Sequence, residues 1–332
     1  MSSLDLMSRV RGAILGGWCG DAAGAVLEFH HGGPITQEMV EHALSMPGGG
    51  ALKVAPGQIT DDSELEICLV NALSTVSIPL ADRDVSQYPI DAVAQCYLEW
   101  ANKTDPFDIG YATRLATAKA NTVEQMRTNA ERYNKKSQAN GALMRCVPIA
   151  IWAREMTAEQ MKKIVRTDCT LTHPNEICVD AVSVYCVAMA ELVKGSECSV
   201  AAHALKAHAD NATVQKWIQD VDDGVAPGDV TVNTGHIMHA IQLVYKFLTT
   251  SPLPTYEEVI KSTLMLGGDT DTNAKIVGAI AGAIYGEEGI PLSMRNKVLS
   301  FTCEEVAEGG VGHFRPVTYN TARAFVKLQQ LI

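Results

Sequence analysis

Two short segments concentrate oxygen-bearing side chains. Gln58-Ile59-Thr60-Asp61-Asp62-Ser63 and Gly267-Gly268-Asp269-Thr270-Asp271-Thr272 each set two carboxylates and a hydroxyl within three or four residues, next to a Gly-rich turn. Neighbouring carboxylates repel unless a cation lies between them. Hard divalent cations such as Mg²⁺ or Mn²⁺ take about six oxygen ligands, hydroxyls and waters included. Two such segments facing each other would form a binuclear site. One alone reads as well as an acidic cap on a helix N-terminus, where negative charge is stabilising. The repetition of the pattern favours the metal.

The elements that must position these segments are helical. Residues 9–28 carry Gly12, Gly16, Gly20 and Gly24 four apart, and Ala274, Gly278, Gly282 and Gly286 repeat that spacing. Each interior glycine costs a helix about 1 kcal/mol relative to alanine, so both stripes predict central helices whose backbones pack closely. Apolar residues at 3–4 spacing predict helices over 63–73, 90–100, 142–155, 177–192, 200–208, 214–221 and 235–248. Thr157-Ala-Glu-Gln160 and Thr255-Tyr-Glu-Glu258 are capping boxes. Val230-Thr231-Val232 is the one short alternating strand candidate, and residues 121–138 read as an exposed polar excursion. No linker separates two cores, so the expectation is a single compact all-α domain over residues 1–332.

Composition narrows the function classes. The chain has 332 residues, 47% of them hydrophobic, and a formal net charge of −11. An acidic surface repels phosphate backbones, which argues against nucleic-acid binding. A small phosphate-bearing ligand is still compatible with glycine turns or a metal. The apolar stretch 276–286, closed off by Lys275 and Glu287, is far below the roughly 20 residues that span a bilayer, and no signal peptide is visible. Nine scattered cysteines without a Cys-x-x-Cys pair point to a reducing cytosol. His236 and His239, at i, i+3, are the nearest approach to a zinc signature, and read better as packed or exposed side chains.

Five motifs in order carry a resemblance. Gly20-Asp21-Ala22-Ala23-Gly24 with Glu28, Pro56-Gly57-Gln58-Ile59-Thr60-Asp61-Asp62, Asn140-Gly141-Ala142-Leu143-Met144-Arg145, Thr172-His173 and Gly267 to Thr272 together resemble the ADP-ribosylglycohydrolase family over about residues 9–290. The segment Gly48 to Asp62 looks most like the dinitrogenase-reductase-activating branch. The resemblance implies an all-α orthogonal bundle with two Mg²⁺ or Mn²⁺ ions in a cleft, acting on ADP-ribosylated proteins or ADP-ribose. It implies metal ligation by Thr60, Asp61, Asp62, Asp269, Asp271 and Thr272. Glu28 and Asp108 fall on acidic positions near the scissile bond. Asn140, Gly141, Met144 and His173 fall on the ADP-ribose cleft, and Gly235 and His236 on a loop at the adenosine end. The family often has an aromatic where this chain has His236. The implied activity is cleavage of the N-glycosidic bond to arginine by a cytoplasmic monomer. The alternatives are serine-linked ADP-ribose, a small ADP-ribose compound, or a non-catalytic, crystallin-like relative. Asp61-Asp62-Ser63-Glu64 also brings to mind the diphosphate motifs of isoprenoid synthases, but only 6% of residues are aromatic and the second cluster differs.

Overall fold

The computed structural model describes residues 4–30, 32–302 and 311–332. Among these residues there is no strand, and they form an assembly of sixteen α-helices. The first three are α1 (Leu6–Gly24), α2 (Gln37–Leu44) and α3 (Asp61–Leu73). Next come α4 (Ile90–Lys103), α5 (Tyr111–Thr117), α6 (Val123–Asn134), α7 (Val147–Trp152), α8 (Ala158–Cys169) and α9 (Glu176–Lys194). Then follow α10 (Cys198–Ala207), α11 (Ala212–Asp222), α12 (Ile237–Thr249) and α13 (Tyr256–Leu264). The series ends with α14 (Thr270–Tyr285), α15 (Leu292–Ser300) and α16 (Thr321–Lys327). No helix among the described residues is long and apolar enough to cross a membrane.

The two glycine stripes find each other. α1 and α14 make the most extensive helix–helix contact in the molecule. A Cβ at Gly12 would lie 2.1 Å from the Gly282 carbonyl oxygen, and one at Gly16 would lie 2.5 Å from that of Gly278. The missing side chains are what allow the backbones to touch, which offsets the helix-propensity cost. The stripe also reaches the chemistry, since a Cβ at Gly24 would lie 2.4 Å from the Cα of Asp271. Around this pair a continuous apolar core forms, with α9 buried along almost its whole length.

Both capping boxes form as expected, with Thr157 accepting from the Gln160 N–H and Thr255 from the Glu258 N–H, each at 3.3 Å. Four expectations need correction. α1 ends at Gly24, and residues 25–29 are a turn rather than a continuation of the helix. Residues 121–138 are mostly α6, which buries Val123, Met126 and Ala130 against the core despite its polar composition. Over 142–155 only Val147–Trp152 is α-helical, because Pro148 belongs at the start of a helix. Val230-Thr231-Val232 lies in a turn held by the Asp229 carboxylate, which accepts from the Thr231 N–H at 2.9 Å.

Candidate metal centre

The N-termini of α3 and α14 converge on one cavity of about 350 Å³, within the size range of ligand pockets. Its lining includes Glu28 from the turn after α1, and Asp61 and Asp62 from the first turn of α3. Asp108 and Gly110 join from the loop before α5, as do Asp269, Asp271 and Thr272 from the start of α14. Asn140, Gly141, Met144, His173 and Gly235 complete the wall. Two predicted site residues stand outside the lining. Thr60 is fully buried behind Asp62, to which its hydroxyl donates at 3.3 Å. His236 instead caps α12, accepting from the Met238 N–H at 3.1 Å, and packs edge-on against Trp217.

Thr60 occupies the N-cap of α3 and Asp269 that of α14, yet neither side chain makes a cap hydrogen bond. Their neighbours hold them for something else. The Asp61 carboxylate accepts from the Gly110 N–H at 3.1 Å, and Asp269 accepts from the Asn140 side-chain amide at 2.7 Å. The Thr272 hydroxyl donates to Asp62 at 3.2 Å, joining segments 210 residues apart. Glu28 accepts from the Thr270 N–H at 3.1 Å. Carboxylate oxygens of Glu28, Asp269 and Asp271 all lie within 4.8 Å of one another.

Such crowding is costly without a cation. Burial, then the Asp108 charge, pushes the Asp61 carboxyl well above the ordinary range. Burial followed by Asp21 and Asp61 does so for Asp62, and burial followed by Glu28 and Asp62 for Asp271. Glu28 is pushed up to about 7, by burial and then Asp269. Asp108 rises to about 6, by burial and then Asp21. One Asp62 oxygen is buried with no hydrogen-bond partner, an expensive state for a carboxylate unless a ligand completes it. An all-oxygen donor set with an orphaned carboxylate atom fits a hard divalent cation.

The opposite wall offers donors. Burial, then Arg145, holds His173 down at about 3, so its ring is neutral. Arg145 donates to the Thr172 hydroxyl at 2.9 Å, and that hydroxyl contacts His173 Nδ1 at 2.8 Å. Arginine cannot accept, so Thr172 spends its own proton on Nδ1. The Nε2 proton of His173 then faces Gly141, where a Cβ would lie 3.0 Å from Nε2.

Several residues at the site went unassigned at the level of sequence. Asp21 is completely buried under α3, and Lys275, read as a hydrophilic boundary, is only 1% exposed. A charge inside a small-residue helix was the available signal for both. Phe29 and Tyr111 also line the cavity while 52% and 77% exposed, and nothing in their spacing marked them. Among the described residues His239 has no second and third ligand-bearing side chain grouped with it, and its Nε2 pairs with the Val232 carbonyl at 2.9 Å.

The profile of the ADP-ribosylglycohydrolase family matches residues 2–322. The chain belongs to that family. It is similar to ADP-ribosyl-[dinitrogen reductase] glycohydrolase of Rhodospirillum rubrum, 29% identical over 90% of this chain and 92% of the relative. It also resembles ADP-ribosylarginine hydrolase Tri1 of Pseudomonas putida (strain GB-1), 25% identical over 88% of this chain and 74% of that protein. ADP-ribosylhydrolase ARH3 of Xenopus tropicalis is 26% identical over 87% of this chain and 90% of its own length. The same fold occurs in a solved structure titled "ADP-ribosylglycohydrolase-related protein complex". It has a TM-score of 0.69 and 22% identity, covering 98% of this chain and 99% of that one.

Proposed function

We propose that this family member is a metal-dependent hydrolase that removes ADP-ribose from modified protein side chains, and that its preferred bond is the N-glycosidic link to arginine. The observation that carries the reading is the meeting of the two Thr/Asp segments, through Thr272 and Asp62, in one cavity with Asn140 and His173 opposite. In this reading Thr60, Asp61, Asp62, Asp269, Asp271 and Thr272 hold two Mg²⁺ or Mn²⁺ ions. When bound, cations of this kind supply a Lewis acid that makes water a nucleophile near neutral pH.

The chain's own residues orient, bind and move protons. The Asn140 amide and the Gly110 N–H fix the faces of Asp269 and Asp61. The Nε2–H of His173 and backbone N–H groups near Gly141 suit the pyrophosphate of ADP-ribose, with Met144 as an apolar floor and Gly235 keeping the adenosine end open. Hydrolysis adds water oxygen to the anomeric carbon and breaks its bond to the arginine nitrogen. Glu28 takes the proton that water gives up, as a carboxylate beside Asp269 and Asp271 is placed to do. The bonding pair leaves on the arginine nitrogen, which receives the proton that Glu28 took from water and departs as guanidinium; Asp108 lines the mouth and faces that cation, which pairs well with carboxylate. The reading treats residues 1–332 as one domain, supported by the continuous core. It also takes a cytoplasmic monomer acting on protein rather than nucleic acid. The free thiol state of every cysteine among the described residues supports a reducing compartment; Cys303 lies outside them.

Matched peptides that differ only in an arginine- or serine-linked ADP-ribose test this reading. Release should be faster from the arginine peptide, and EDTA should stop it. Faster release from the serine peptide would transfer the assignment to that linkage. Binding of ADP-ribose without turnover of either peptide would make the protein a non-catalytic relative.

A further inference from the structure

A lysine ammonium lies beneath the acidic cluster. Lys275 sits three residues beyond Thr272 in α14 and is buried. Its Nζ donates to Glu66 Oε2 at 3.0 Å and to Ser63 Oγ at 3.3 Å, both on α3. An ammonium only donates, so the Ser63 hydroxyl accepts from Lys275 and sends its own proton to Asp21, 2.5 Å away. Asp21 also accepts from the backbone N–H groups of Thr60 at 3.1 Å and Ser63 at 3.2 Å. The series Glu66, Lys275, Ser63, Asp21 thus ties α3, α14 and α1 together and ends on the N–H groups that open α3. Asp21 caps α3 from another helix. A Thr60 that capped its own helix would hold its Oγ on the Ser63 N–H. That N–H is taken, and the Thr60 hydroxyl turns to Asp62 instead.

The charge of Lys275 reaches beyond its ion-pair partner. Burial pushes the Asp21 carboxyl up, and Lys275 is the largest opposing influence. For Asp62, burial and then Asp21, Asp61 and Asp269 push upward against Lys275. Glu66 holds the ammonium from below, while its own Oε1 and the neighbouring Trp18 indole N–H stop short of a well-formed hydrogen bond. As a pure stability device the pair is poorly made, since a buried ion pair with a poorly satisfied oxygen gains little over apolar packing.

We propose that Lys275 is a resident counter-cation of the metal site: a positioning residue that holds the acidic starts of α3 and α14 together when divalent ions are absent, with Glu66 setting how much of its charge the cluster feels. The inference rests on the metal-site reading above. A full divalent complement makes the ammonium partly redundant, so removing it penalises the metal-free protein most.

Thermal melts of the whole chain in EDTA and in saturating MnCl₂, with calorimetric Mn²⁺ titrations, separate the possibilities. Lys275→Met should lose more stability in EDTA than in Mn²⁺, so its Mn²⁺-induced rise in Tm should exceed that of the wild type. Its Mn²⁺ Kd should tighten by roughly 5-fold or more, the lower range of ordinary coupling between sites. Glu66→Gln leaves the ammonium to the cluster and should move both readouts the opposite way. If Lys275→Met alone does not fold, Lys275→Met/Glu66→Leu decides, because it removes the buried pair together. Its Mn²⁺-induced rise should still exceed the wild-type value. An unchanged rise and Kd in these variants would make the pair a plain structural tie and overturn the proposal. A wild-type protein with no Mn²⁺-induced rise at all would overturn the metal-site reading as well.

Discussion

Asp269 and Glu28 lie side by side in space, and their replacement separates holding a metal from moving a proton. Asp269→Ala removes an oxygen from the trio with Glu28 and Asp271 and strands the Asn140 amide. Hydrolysis should fall to background and Mn²⁺ should no longer raise the Tm, while the circular dichroism spectrum stays helical. Glu28→Gln keeps size and polarity, and its amide oxygen still accepts from the Thr270 N–H. It should lower kcat by about 10²–10⁴-fold, the usual worth of acid–base catalysis, with Mn²⁺ affinity retained. Loss of Mn²⁺ binding in Glu28→Gln would make Glu28 a ligand instead. Tyr111 raises a different matter, because its ring lines the carboxylate cavity and, at 77% exposed, is open to an arriving cation. A guanidinium against an exposed ring gains about 0.5–1 kcal/mol. Tyr111→Ala should therefore raise KM for arginine-linked peptide by roughly 2–5-fold and leave free ADP-ribose affinity unchanged. Equal loss of both would place Tyr111 against the nucleotide.

At the scale of elements, the contact between α1 and α14 carries the site. Gly282 is the tightest point, where a Cβ would lie 1.9 Å from the Gly12 carbonyl oxygen. Backbone cannot rotate away as a side chain can. Gly282→Ala gains helix propensity but forces the helices apart, and overpacking of this kind costs about 1–3 kcal/mol. The net effect should be a lower Tm. It should also bring weaker Mn²⁺ binding, since the same stripe seats Gly24 against Asp271. Denaturant melts and Mn²⁺ titration of the same variant check both halves; loss of stability with full Mn²⁺ affinity would show that α14 positions the site independently of α1.

At the scale of the whole molecule, the acidic cluster links stability to pH and to metal. In the metal-free protein the folded carboxyls of Asp61, Asp62 and Asp271 are raised well above their ordinary values, Glu28 to about 7 and Asp108 to about 6. The folded state therefore binds more protons than the unfolded chain across the interval between the unfolded and folded values. Stability must then fall as pH rises through that window. In EDTA the Tm should be several degrees higher at pH 5.5 than at pH 8. Divalent cations compete with those protons, so the Mn²⁺-induced rise in Tm should be larger at pH 8. A Tm in EDTA that increases from pH 5.5 to 8 would contradict the crowding of unpaired carboxylates.

What could be read from the chain alone followed from local rules. Helix periodicity, the capping boxes at Thr157 and Thr255, the two small-residue stripes and the paired Thr/Asp segments are all encoded within a few residues of themselves. The family resemblance likewise rests on short ordered motifs. Only the tertiary structure decided which stripe meets which, because α1 and α14 approach across some 250 residues of chain. It also decided that Asp21 caps α3 in place of Thr60, and that Lys275 is buried against Glu66 and Ser63 rather than ending an apolar run. Asp21 and Lys275 stand out in sequence as lone charges in small-residue helices, but that marks the position and not the role; their roles come from partners on other helices. The polar stretch at 121–138 misled for the same reason, since three well-placed apolar side chains facing the core outweigh a hydrophilic average. Local pattern specifies elements and the chemistry they carry, whereas the electrostatic partnership of buried charges exists only once distant helices are packed.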